Sequence, residues 1–130
     1  MAGILLVTHN GLGDSFVDCV KHVLGEVPPN LKVLSVLAND DPQLKLAEGQ
    51  ALIKQLDTGE GVLILADAFG ATPSNIGRQL CHAEHVMGVA GMNLPMLLRV
   101  VCYPAAPLPE LAKAAVEGGR GCITYIKPEN

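Results

Sequence analysis

Two apolar runs in this chain end on side chains able to do chemistry. His9 follows Gly3–Thr8 (GILLVT), and Asp67 follows Gly61–Ala66 (GVLILA). Neutral imidazole is a nucleophile. A carboxylate that takes the proton of one ring nitrogen fixes the tautomer and leaves the other nitrogen free to attack. The same carboxylate stabilises the ring as it becomes cationic. A small-residue bend follows each group: Asn10-Gly11-Leu12-Gly13 after the histidine, and Gly70-Ala71-Thr72-Pro73 shortly after the aspartate. Glycine lets backbone N–H groups approach an anion closely, and a helix N-terminus adds positive potential. The Thr72 hydroxyl can donate to a phosphoryl oxygen. The set reads as a histidine placed to take and give a phosphoryl group, with Gly11, Gly70, Ala71 and Thr72 around it. Each member also has a structural reading. A lone histidine at a strand end is commonly structural or solvent-exposed. Asp67 suits a turn or cap, Thr72 an N-cap, and the two glycines tight bends.

The elements that would position these groups alternate between short apolar runs and amphipathic stretches. Strands are expected at Gly3–Thr8, Lys32–Leu37, Gly61–Ala66 and Val86–Ala90. Helices are expected over Asp14–Leu24 with Gly25 as the stop, from Asp41-Pro42 to near Gly59, from Thr72-Pro73 onward, after Asn93-Leu94-Pro95 to about Val101, and over Leu111–Val116. Tyr103–Pro109 holds three prolines and reads as a loop, and Cys122–Ile126 as a short final strand. This alternation predicts a single α/β domain over residues 1–130, doubly wound, with a four-stranded parallel sheet flanked by helices. In such a sheet, ligands bind beyond the carboxyl ends of the strands, where strand order reverses. If the first and third strands are neighbours, His9 and Asp67 share that crevice.

Composition narrows the partners. With 49% apolar and 17% charged residues, the 130-residue chain is expected to fold, and with 3% aromatic residues its core must be aliphatic. A net charge of −4 without a Lys/Arg cluster argues against nucleic acid and against direct membrane attachment. Cys19, Cys81, Cys102 and Cys122 form no C-x-x-C pair, and read as small core residues in a reducing cytoplasm. No secretory signal precedes the first apolar run, so a cytoplasmic location is expected. Gly11-Leu12-Gly13 is not a dinucleotide fingerprint, because Phe16 stands where its third glycine would fall. No G-x-x-x-x-G-K-[ST] loop is present. His22, His82 and His85 read as solvated positions, with no third ligand poised to complete a metal site. Neither a metal nor a cofactor is expected.

Three fragments carry a family resemblance: GILLVTHNG at the start, VLILADAFGATPSN at Val62–Asn75 and VAGMNLPMLL at Val89–Leu98. Together they resemble the mannose-family enzyme IIA domains of the bacterial sugar phosphotransferase system, over essentially the whole chain. The resemblance implies that His9 is the phosphorylated histidine, Asp67 its carboxylate partner and Thr72 the hydroxyl of the aspartate loop. It implies a phosphoryl group accepted from the phosphocarrier protein HPr and passed to a IIB component, with the membrane reached only through transporter subunits. It also implies a homodimer in which Cys122–Ile126 completes the partner's sheet. Many relatives have Thr-His-Gly where this chain has Thr8-His9-Asn10. With the chain stopping at Asn130, the IIB component is expected on a separate polypeptide. The phosphotransferase subunit that serves dihydroxyacetone kinase shares the early histidine but lacks the D-x-F-G-x-T-P loop. Two other functions fit the same residues: a regulatory protein whose phospho-His9 reports metabolic state, and an α/β module that binds a small ligand without a covalent step.

Overall fold

The computed structural model describes residues 1–129. Four strands and five helices follow one another as β1 (Gly3–His9), α1 (Leu12–Leu24), β2 (Leu31–Val36), α2 (Pro42–Leu56), β3 (Val62–Ala66), α3 (Thr72–Leu80), β4 (Val86–Ala90), α4 (Leu94–Val101) and α5 (Leu108–Gly121). The strands form one parallel sheet in the order β2-β1-β3-β4.

Strand β1 shows why its apolar run is unbroken. Successive side chains point to opposite faces of a sheet, and here both faces are covered. Ile4 and Leu6 join Leu63, Leu65 and residues of α1, α4 and α5 on one side. Leu5 and Val7 join Leu34, Ile64 and residues of α2 and α3 on the other. All four β1 side chains are almost completely buried. The chain runs outward from β1 to β2, then crosses back to β3 on the other side of β1. Strand order therefore reverses between β1 and β3.

The helix starts follow local chemistry. The Asp41 carboxylate accepts from the Gln43 N–H at 2.9 Å, with Pro42 in the first turn of α2. Asn93 does the same for α4, accepting from the Met96 N–H at 3.0 Å, and its own amide donates to the Gly119 carbonyl at 3.0 Å. Gly25 closes α1 with φ +87°, the left-handed conformation that glycine adopts without strain. Among the described residues, no helix is long and apolar enough to cross a membrane.

Four expectations are corrected, the first being the core placement of Cys19, Cys81, Cys102 and Cys122, all of which are exposed. Helix α5 begins at Leu108, inside the proline-rich segment, because Pro109 falls in the first turn, where a missing N–H costs no helix bond. The same helix runs past its expected end at Val116, through Gly118 and Gly119. A Cβ on Gly118 would meet Arg99 at 3.0 Å and one on Gly119 would meet Met96 at 2.8 Å, so these glycines let α5 lie close against α4. Finally, Cys122–Ile126 forms no strand within the chain. A strand exists only through ladder bonds to a neighbour, and this segment pairs with none of the four strands. Its Ile123, Tyr125 and Ile126 are 76%, 88% and 100% exposed.

Candidate functional site

Strand β1 pairs with β3 as far as Val7 opposite Ala66, and with β2 as far as His9 opposite Val36. The β3 ladder thus ends where Asp67 begins. Its carboxylate curls back, and Oδ2 accepts the backbone N–H of His9 at 2.8 Å. The same oxygen lies 2.8 Å from Nδ1 of the His9 ring. A carboxylate only accepts, so in the neutral ring the Nδ1 proton is donated to it and Nε2 keeps its lone pair. The ring is 50% exposed, whereas the Asp67 side chain is 7% exposed. The acid is shielded from water while the imidazole remains open to a visitor. The second oxygen, Oδ1, is buried with no hydrogen-bond partner among the described residues.

His9 and Asp67 are therefore brought together at the switch point between β1 and β3. Gly11 immediately precedes α1, and Gly70, Ala71 and Thr72 lie where the β3 loop enters α3, so all four stand at the connections leaving adjacent strands on the same edge of the sheet. The expected capping role of Thr72 is not seen. Ala71 is the extended N-cap, Thr72 is the first residue of the helix, and no side chain caps α3; the Ser74 hydroxyl instead donates to the Ala71 carbonyl at 2.9 Å. A hydroxyl inside the first turn points away from the N–H groups that a cap would take. Gly70 has φ +82°, which requires glycine, while Gly11 has φ −84° and open space around its Cβ position. His82 and His85 stack at 6.5 Å in the loop before β4, at the opposite end of the sheet.

Two features of this edge escaped the sequence reading. Thr8 is fully buried, and its Oγ1 accepts the Gly13 N–H at 2.8 Å. A hydroxyl residue closing an otherwise apolar strand was the available signal, since a buried hydroxyl needs a partner. Asn10 has φ +45°. Asparagine tolerates this left-handed conformation better than most side chains, which explains how a residue other than glycine stands here. Replacing Asn10 by Val is expected to cost about 1–2 kcal/mol of stability in urea unfolding, while Asn10→Gly leaves stability nearly unchanged.

An open parallel sheet with an accessible imidazole at its switch point, oriented through Nδ1 by a carboxylate from the next strand, defines a small α/β protein organised around one ring nitrogen. Residues 3–116 match the EIIA-man family, described as "PTS system fructose IIA component", and the chain belongs to that family. The match agrees with the resemblance drawn from the three sequence fragments. The PTS system mannose-specific EIIAB component of Escherichia coli (strain K12) is 28% identical over 127 residues, covering 95% of this chain and 39% of that protein. The chain thus spans well under half the length of the first curated relatives it matches. The PTS system sorbose-specific EIIA component of Lacticaseibacillus casei is 31% identical over 100 residues, covering 75% of this chain and 70% of that one. Among solved structures, the mannose/sorbose specific IIA subunit from Enterococcus faecalis superposes with a TM-score of 0.88 at 25% identity, over 99% of this chain and 97% of that one. The phosphotransferase component EIIA from Streptococcus agalactiae shares the fold, with a TM-score of 0.85 at 18% identity over 96% and 97% of the two chains.

Proposed function

We propose that this IIA component carries phosphoryl groups on Nε2 of His9, accepting them from phospho-HPr and passing them to a IIB component that serves sugar uptake. The observation that carries this reading is the pair of 2.8 Å bonds from Asp67 Oδ2 to the ring and to the backbone of His9. In the transfer, the Nε2 lone pair forms a bond to phosphorus as the bond between phosphorus and the donor side chain breaks. The departing electron pair stays with the donor. The ring gains positive character, which the adjacent carboxylate stabilises, and no proton need leave Nδ1. The N–H groups at the starts of α1 and α3, the backbone at Gly70 and Ala71, and the Thr72 hydroxyl are the donors available to the phosphoryl oxygens. Incubation with phospho-HPr followed by intact-mass measurement tests the reading: one phosphoryl mass is expected on the wild type.

The rim of the site suits a protein visitor. Leu12, Leu37 and Phe69 are 44%, 52% and 87% exposed, and each lies within three residues of His9, of its partner Val36 in β2, or of Asp67. Large exposed apolar side chains around a polar centre mark an association surface. Replacing Phe69 by Ala is expected to raise KM for phospho-HPr about tenfold with little change in kcat, as for a contact at the centre of an interface. Steady-state labelling at varied donor concentration checks this.

The same reading includes a homodimer. The outer edge of β4 is open in the sheet order, and it is flanked by two apolar hollows of about 320 and 440 Å³. The exposed Ile123, Tyr125 and Ile126 are the apolar residues able to cover such an edge in a second copy. Light scattering is expected to report a dimer for the whole chain and a monomer for a chain ended at Gly121.

A further inference from the structure

We infer that Thr8 is a positioning residue for the transfer at His9, acting through the first turn of α1. The inference rests on the reading of His9 as phosphoryl acceptor. Thr8 is a fully buried polar residue, at 0% exposure. Its Oγ1 accepts the Gly13 N–H at 2.8 Å. The bond ties the next-to-last residue of β1 to the second residue of α1, and so closes the bend that carries His9, Asn10 and Gly11.

Steric contacts hold the same two elements. A Cβ on Gly13 would lie 2.6 Å from Val33 Cγ1 and 2.9 Å from Thr8 Oγ1. The start of α1 is therefore seated against both β1 and β2, and the Thr8 hydroxyl fixes its position along the strand. The first turn of a helix leaves four N–H groups without acceptors in the helix. Thr8 engages that of Gly13. Those of Gly11, Leu12 and Asp14 form the positive end of α1, one bend away from the ring. Phosphorylation of Nε2 adds negative charge beside this end. Transfer also requires donor, phosphorus and Nε2 to lie in line. Thr8 touches none of the reacting atoms and exchanges no proton. Its hydroxyl sets where the positive helix end stands relative to the imidazole.

The alternative is that this bond serves stability alone. Thr8→Val keeps the shape and removes the acceptor, whereas Thr8→Ser keeps the acceptor and removes a methyl. With the whole chain, phospho-HPr as donor and intact mass as readout, Thr8→Val is expected to transfer about tenfold to a hundredfold more slowly at unchanged KM. Thr8→Ser is expected to transfer close to the wild-type rate. In the 1H–15N spectrum of the wild type, the Leu12 and Asp14 amide protons are expected to shift when His9 is phosphorylated. The inference is overturned if Thr8→Val keeps the wild-type kcat, if a folded Thr8→Ser is as slow as Thr8→Val, or if the whole loss appears in KM. Should Thr8→Val not fold, Thr8→Ser and the amide shifts decide, and unmoved Leu12 and Asp14 amides overturn it. Failure of the underlying reading looks different: His9→Ala would then gain the same mass as wild type whatever residue stands at position 8.

Discussion

His9→Ala is expected to take up no phosphoryl group from phospho-HPr while melting at nearly the wild-type temperature. Both halves follow from the site. The imidazole supplies the ring nitrogen that Asp67 orients, so its removal takes the oriented nucleophile from the switch point. Yet the ring is half exposed and carries little of the core, and the backbone N–H of residue 9 still satisfies Asp67 Oδ2. Intact-mass measurement and circular dichroism on the same preparation check the two halves together. Labelling of the alanine variant at the wild-type rate would place the acceptor elsewhere.

Asp67→Asn is expected to slow transfer by about 10²-fold or more, as is typical when an orienting acid or base is lost. The amide is nearly isosteric, so the fold should persist. Its oxygen can still accept from the His9 backbone, but it carries no charge to stabilise a cationic ring. Turned the other way, its NH₂ donates to Nδ1, which moves the ring proton to Nε2 and removes the attacking lone pair. Either orientation weakens the nucleophile. Single-turnover labelling distinguishes this from a docking defect, because saturating phospho-HPr cannot restore the rate. An unchanged rate would reduce Asp67 to a turn residue.

The parts of this architecture legible in the sequence are those in which local pattern and global packing agree. The runs ILLV and VLILA have no polar interruption because both faces of β1 and β3 are covered, and each ends at the residue that first meets the edge. Asp41-Pro42 and Asn93-Leu94-Pro95 announce helix starts because cap and proline chemistry is local. What could not be read depends on contacts between distant segments. Gly118-Gly119 looks like a break by propensity, but close packing on Met96 and Arg99 of α4 overrides that preference. Thr72 has the sequence of a cap, while the backbone turns into helix one residue earlier than that role requires. Cys122–Ile126 has a strand's composition but no ladder within its own chain. The bond from the His9 backbone to Asp67 spans 58 positions and depends on where the β1–β3 ladder stops, which no local pattern encodes.

The burial of β1 on both faces has a consequence for how such a chain tolerates change. Side chains alternate along a strand at a rise of about 3.3 Å per residue, so the number of residues between the first sealed position and His9 acts as a ruler and a parity switch at once. Inserting one residue among Ile4–Val7 would invert which layer receives every later side chain, and would swing the imidazole to the wrong side of the edge. Substitutions among aliphatic residues leave the count intact. Lengthening or shortening β1 by a single residue does not.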